Sequence, residues 1–183
     1  MRRILLSLLA VVLVLGRLAG VQETRAQSKS VPDSINLIWK SVAKDFTALA
    51  TAMPEDKWAF KPTQGAFKDA RTFAEQVKHV ACANEAWAQK IKKQKSPERC
   101  DIGGPNPAKS KAEILAYLRE SFVQMDSAIA SINTDNMLEQ IHSEYWGDDR
   151  LSAITAAVWH ISDHYGQLVE YLRMNGLVPP ASQ

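Results

Sequence analysis

The stretch Asp149–Gly176, DRLSAITAAVWHISDHYGQLVEYLRMNG, carries the pattern that decides the fold. Ile154, Val158, Ile161, Tyr165, Leu168 and Leu172 recur every three or four residues, the repeat that lines up apolar side chains on one face of an α-helix. Asp148 and Asp149 stand where a helix needs acceptors for its first free N–H groups. Gly176, followed by Pro179-Pro180, stands where one stops. A helix with one such stripe must bury it against other helices.

Three more segments supply them. Ile35, Ile38, Val42, Phe46 and Leu49 form the first stripe, with Asp33 or Ser34 as its cap and Pro54 as its stop. After a connection rich in Pro, Lys and Gly, Thr72-Phe-Ala-Glu75 is a capping box that opens a second helix with Phe73, Val77, Val80, Trp87 and Ile91 on one side. Past the Pro/Gly loop 96–107, a second box, Ser110-Lys-Ala-Glu113, starts a helix carrying Ile114, Leu118, Phe122, Met125, Ile129 and Ile132. Strand-like alternation is scarce. The expectation is an all-α, single-domain four-helix bundle over residues 33–178. Connections of medium length leave the order of up and down helices open.

The first 26 residues stand apart. Met1, Arg2 and Arg3 precede the apolar run Ile4–Leu15, and a region of small and polar residues ends at Ala26. This is the layout of a secretory signal peptide. Arg17 interrupts the run well short of the roughly 20 apolar residues a spanning helix needs. No Cys follows the run, so a lipoprotein is not expected, and Arg2-Arg3 alone do not make a twin-arginine signal. The expectation is an exported protein, periplasmic or extracellular, that begins near Gln27 and keeps no membrane span. Removal of residues 1–26 takes away four basic residues and Glu23, so the formal charge of +2 becomes about −1. No large positive field remains to attract nucleic acid.

Cys82 and Cys100 lack the CxxC spacing of a zinc knuckle or thioredoxin site. In an oxidising compartment they either close a disulfide between the second helix and the loop after it, or stay as two unlinked thiols.

Chemistry concentrates on histidine. His160 and His164 are four apart on the last helix, on one face and roughly 40° apart around its axis, so both imidazoles can reach one ion. They lie on the flank of the apolar stripe, roughly 80–120° from its centre, and His79 holds a similar flank position on the second helix. Three such imidazoles would make a facial set with positions left for water or substrate. A hydrogen-bonded structural role is the alternative for each taken alone. His142 lies outside the main helices and reads as a loop or surface residue. Asp163 projects away from the two histidines as a solvated charge. Asn84 sits on a stripe position, bonded either near the site or to backbone. No GxSxG elbow, P-loop, GxGxxG or HExxH is present.

His160-Ile-Ser-Asp-His164-Tyr-Gly-Gln-Leu-Val-Glu-Tyr-Leu-Arg and Asn175-Gly-Leu-Val-Pro-Pro resemble the last helix and tail of DinB-like proteins. Phe60-Lys-Pro62, Arg71-Thr72-Phe73 and Glu75-Gln-Val-Lys-His79-Val add to the resemblance, which spans about residues 33–181. It implies a DinB/YfiT-like four-helix bundle with a three-histidine site for a divalent ion, commonly nickel or zinc, held by His79, His160 and His164. Some members of that family transfer low-molecular-weight thiols, and those thiols are cytosolic, which sits poorly with export. Two functions follow as expectations. One is a metal-dependent hydrolase or transferase acting on a small molecule. The other is a non-enzymatic metal-binding or interaction module, dimeric through a helix face. A solvent-connected pocket beside the ion separates the first from a site closed by a fourth protein ligand.

Overall fold

The computed structural model describes residues 30–141 and 147–183. The signal-peptide expectation for residues 1–26 and the surface reading of His142 fall outside them. The described residues are all-helical, with four long helices and no strand: α1 (Val31–Ala52), α2 (Phe73–Ile91), α3 (Lys111–Ala130) and α4 (Arg150–Met174). Short 3-10 turns at Glu55–Lys57, Cys100–Ile102 and Pro180–Ser182 punctuate the connections.

Each long helix opens on a reciprocal cap. Thr72 and Ser110 accept from the backbone N–H of Glu75 and Glu113, as their capping boxes require, and Asp149 pairs in the same way with Ser152. The first helix starts earlier than Asp33 or Ser34: its cap is Ser30, and Asp33 is the residue that reaches back to it. Pro32 in the first turn is pre-set for helix and gives up no intrahelical bond there. α4 ends in a Schellman arrangement, with Gly176 at φ +73 and bonds from Gly176 N to Arg173 O and from Leu177 N to Leu172 O.

α2 packs most extensively on α3; α4 lies against both α1 and α2, and α1 also meets α3. The helices thus follow the cyclic order α1, α3, α2, α4, a bundle in which α2 and α4 are neighbours although α3 separates them in sequence. Phe46, Phe73, Leu118, Ile154, Ile161 and Leu168 are fully or almost fully buried between them. Each such side chain contributes about 1.5–3 kcal/mol by leaving water. One stripe position differs from expectation. Ile38 is 55% exposed, and its neighbour Trp39 is buried instead, with its indole N–H donating to Asp126 at 2.9 Å. At 100° per residue Trp39 aligns with Ile35, Val42 and Phe46, whereas Ile38 is turned out of that face.

Cys82 and Cys100 form a disulfide with Cα atoms 5.3 Å apart, tying α2 to the loop that follows it. Asn84 is fully buried and bonds Ser121 Oγ on α3 at 3.3 Å, neither the site nor backbone. Ser121 passes the bond on to Leu118 O at 2.7 Å. Among the described residues no helix is long and apolar enough to cross a membrane.

Candidate metal centre

His79 follows the Thr72 cap by seven residues on α2, on the flank of the face that buries Val77 and Val80. His160 and His164 straddle Ile161, whose side chain is driven into the core, and the neighbourhood of α2 and α4 turns all three imidazoles toward one point. His160 Nε2 lies 3.0 Å from His79 Nε2 and 3.1 Å from His164 Nε2. One ligand atom from each residue falls within 4.8 Å of the others, a group able to hold a metal ion.

The surroundings fix how these rings present themselves. His79 Nδ1 is 2.6 Å from the carbonyl oxygen of Cys100. A carbonyl can only accept, so Nδ1 carries the proton and Nε2 offers its lone pair to the centre of the group. His160 Nδ1 and His164 Nδ1 are buried without a hydrogen-bond partner among the described residues, so their ring orientation is set by packing. Trp87 stacks edge-on against His160 with centroids 5.0 Å apart. His164 is buried, while His79 and His160 are half-buried.

Burial holds all three imidazoles neutral. Desolvation is the largest cause in each case; repulsion from neighbouring histidines adds to it at His160 and His164, and the Arg71 guanidinium adds to it at all three. His160 is pushed down to about 2 and His164 to about 3. His79 is lowered too, against an opposing contribution from the Cys100 carbonyl. His79 Nε2, its lone pair free, can accept from a neutral His160 Nε2–H at 3.0 Å or give that lone pair to a cation. A metal–nitrogen bond of about 2.0–2.1 Å gives nitrogen–nitrogen edges of about 2.9 Å at right angles and about 3.3 Å in a tetrahedron. The two edges at His160, 3.0 and 3.1 Å, fall in that interval, and the His79–His164 edge is longer, within the 4.8 Å that bounds the group. By its chemistry, three imidazole nitrogens gathered within 4.8 Å, this donor set could hold a divalent transition-metal ion.

A cleft of about 970 Å³ opens beside the group. His79 and His160 lie on its wall with Trp87, Cys100 and Arg99, and His164 sits behind them. Ile141 and Lys93 also line it, and Glu139 pairs with both Lys93 and Arg150. Among the described residues the cluster has three members, so no fourth His, Cys, Asp or Glu closes it.

All three histidines singled out by spacing thus meet at one place. Asp163 is exposed, as its helical phase implies, and accepts from Gln167 Nε2 at 2.8 Å. Sequence reasoning passed over three contributors. The Cys100 carbonyl is a backbone atom and leaves no sequence signal. Arg71, anchored by its Nε on Asp101 O at 2.8 Å, stood out only through the resemblance. Trp87 reads as plain core, which it also is.

No curated protein matches the chain. The sequence model described as the DinB superfamily matches residues 38–168, most of the chain and all three histidines. With the helical bundle and the three-histidine group, this match settles its kinship: the chain belongs to the DinB superfamily.

Proposed function

We propose that this is an exported enzyme that uses one divalent ion, nickel or zinc, held by His79, His160 and His164, to hydrolyse a small molecule or transfer a group to it. The carrying observation is the gathering of three histidines beside a cleft. His79 and His160 stand on the wall of a 970 Å³ cleft with His164 as the third member of the group, and no fourth protein ligand is present among the described residues. A closed site would instead be structural. Bound there, the ion would supply Lewis acidity, lowering the pKa of a bound water or binding a substrate thiolate. The chain's own groups have separate tasks. The Cys100 carbonyl orients His79, Trp87 shields His160 from water, and Arg71 disfavours protonation of the ligands. Residues 1–26 act as the signal peptide in this reading, residues 33–178 form the catalytic domain, and thiol transfer is less suited than hydrolysis to an exported protein.

Cobalt substitution tests the open position. The Co²⁺ form should show visible absorption bands that shift when azide or a small thiol is added, because an exogenous ligand enters the first coordination sphere. Bands that do not respond to any added ligand would mark a closed site and remove the catalytic reading.

A further inference from the structure

We infer that the Cys82–Cys100 disulfide is a positioning element of the three-histidine site, so that its affinity for a divalent ion depends on the redox state of this cysteine pair. The inference rests on the metal-binding reading above and extends it to regulation.

Cys82 lies three residues after His79, one helical turn along α2, and is fully buried. Its bond to Cys100 draws the loop back over α2 and lays the Cys100 carbonyl on His79 Nδ1 at 2.6 Å. That contact dictates which nitrogen of His79 faces the ion. Partners of this kind, one step removed from the metal, typically change affinity by about 10–100-fold when lost.

Little else holds the carbonyl there. The turn Cys100–Ile102 has no apolar anchor of its own: Ile102 is 60% exposed, and Asp101 and Arg99 are exposed. Outside the disulfide and the His79 contact, Arg71 Nε on Asp101 O ties it to the bundle. The backbone is also held in an unfavourable shape. Arg99 has φ +58, whereas Gly103 at +86 and Gly104 at +69 adopt the same region without steric cost. A non-glycine residue in the left-handed region costs of order 1 kcal/mol or more and persists only where the surroundings enforce it. The loop also lies directly on the disulfide: a Cβ at Gly104 would stand 2.3 Å from Cys82 Sγ, so only glycine fits there.

Cys100 lines the same cleft as His79 and His160, within reach of a reductant entering it. Attack by a thiolate of a small dithiol on Cys100 sulfur expels the Cys82 thiolate. The dithiol's second sulfur then displaces Cys100, leaving two protein thiols and an oxidised cyclic dithiol, with two electrons and two protons transferred. The loop relaxes, His79 loses its fixed orientation, and the ion is bound by two well-placed ligands and one free to rotate. Metal loading thus follows oxidation of the pair.

The test measures Zn²⁺ affinity by competition with a chromophoric chelator. Its forms are the oxidised full chain, the same chain reduced with a phosphine and desalted without oxygen, and Cys82→Ser/Cys100→Ser. All titrations run in concentrated sucrose, which favours the folded state, and circular dichroism monitors folding. Met125→Ala, a core change on α3, which carries none of the three histidines, serves as an oxidised control for general destabilisation. The expected result is a loss of about 10–100-fold in affinity for both disulfide-free forms, with Met125→Ala unchanged. Nitrogen-15 spectra of the imidazoles should show His79 alone losing its single tautomer. Equal or tighter binding by the disulfide-free forms overturns the inference, as does an equal loss in Met125→Ala. A disulfide-free chain that fails to fold even in sucrose overturns it too, since the bond would then be a general staple. If the oxidised chain itself binds no Zn²⁺, the metal-binding reading fails, and this inference falls with it.

Discussion

Acid should destabilise the metal-free protein in a range where ordinary carboxylates scarcely titrate. A histidine unfolded in water has a pKa near 6.5, whereas His160 and His164 are held at about 2 and about 3 in the fold. Their folded values lie below the unfolded one, so the unfolded chain binds more protons, and the stability is complete above about pH 6.5 and declines as pH falls. Between pH 7 and pH 5 each group should cost about 2 kcal/mol, since one pKa unit is worth about 1.4 kcal/mol. Together they remove about 4 kcal/mol, a large share of the 5–15 kcal/mol typical of a domain. His79, shifted in the same direction, adds to the loss. The assay is urea unfolding of chelator-treated protein at both pH values, read as the change in midpoint at constant slope. His160→Asn/His164→Asn should flatten the pH dependence while leaving the fold intact. Stability that changes by less than about 1 kcal/mol between pH 7 and 5, or that rises on acidification, would refute the claim that burial keeps these imidazoles neutral.

Other perturbations read different parts of the account. Ile161→Ala, which empties a fully buried position between the two histidines of α4, should lower stability by about 2–5 kcal/mol in denaturant unfolding; a loss below about 1 kcal/mol would contradict its placement. Thr72→Ala removes the cap of the helix that carries His79 and should cost about 1 kcal/mol, visible as a lower Tm with little change in bound metal. Export predicts that native material starts near Gln27, and intact mass analysis should find the first 26 residues missing; a full-length chain recovered from a soluble cytosolic fraction would contradict it.

Most of the helical architecture is legible in the sequence because helix ends and faces are local properties. Thr72/Glu75, Ser110/Glu113 and Asp149 mark starts that need nothing but neighbouring residues, and Phe73 to Ile91 alternates at the helical period. The first helix is the exception. Its box uses Asp33 where Glu or Gln is the usual signal, and Trp39 next to Ile38 leaves the buried face ambiguous until α3 supplies Asp126 as a partner. Which helices touch is a property of the whole bundle. Helical phase therefore suggests the α2–α4 contact that unites His79 with His160 and His164, but only the packing of all four helices fixes it. The disulfide lies beyond sequence for the same reason: eighteen residues of separation say nothing of a 5.3 Å approach. The Cys100 carbonyl, which orients His79, belongs to no side chain and became visible only with the loop in place.

Metal content of single variants reports which histidines hold the ion. Protein purified without a metal-binding tag is stripped, reloaded with Zn²⁺ or Ni²⁺ under identical conditions, and assayed by elemental mass spectrometry beside His79→Ala, His160→Ala, His164→Ala and His142→Ala. The three-histidine site predicts one ion per parent chain, loss of most of it in the first three variants, and retention in the fourth. If His142→Ala loses the ion while His79→Ala keeps it, or if all four variants match the parent, then His79, His160 and His164 are not the ligands.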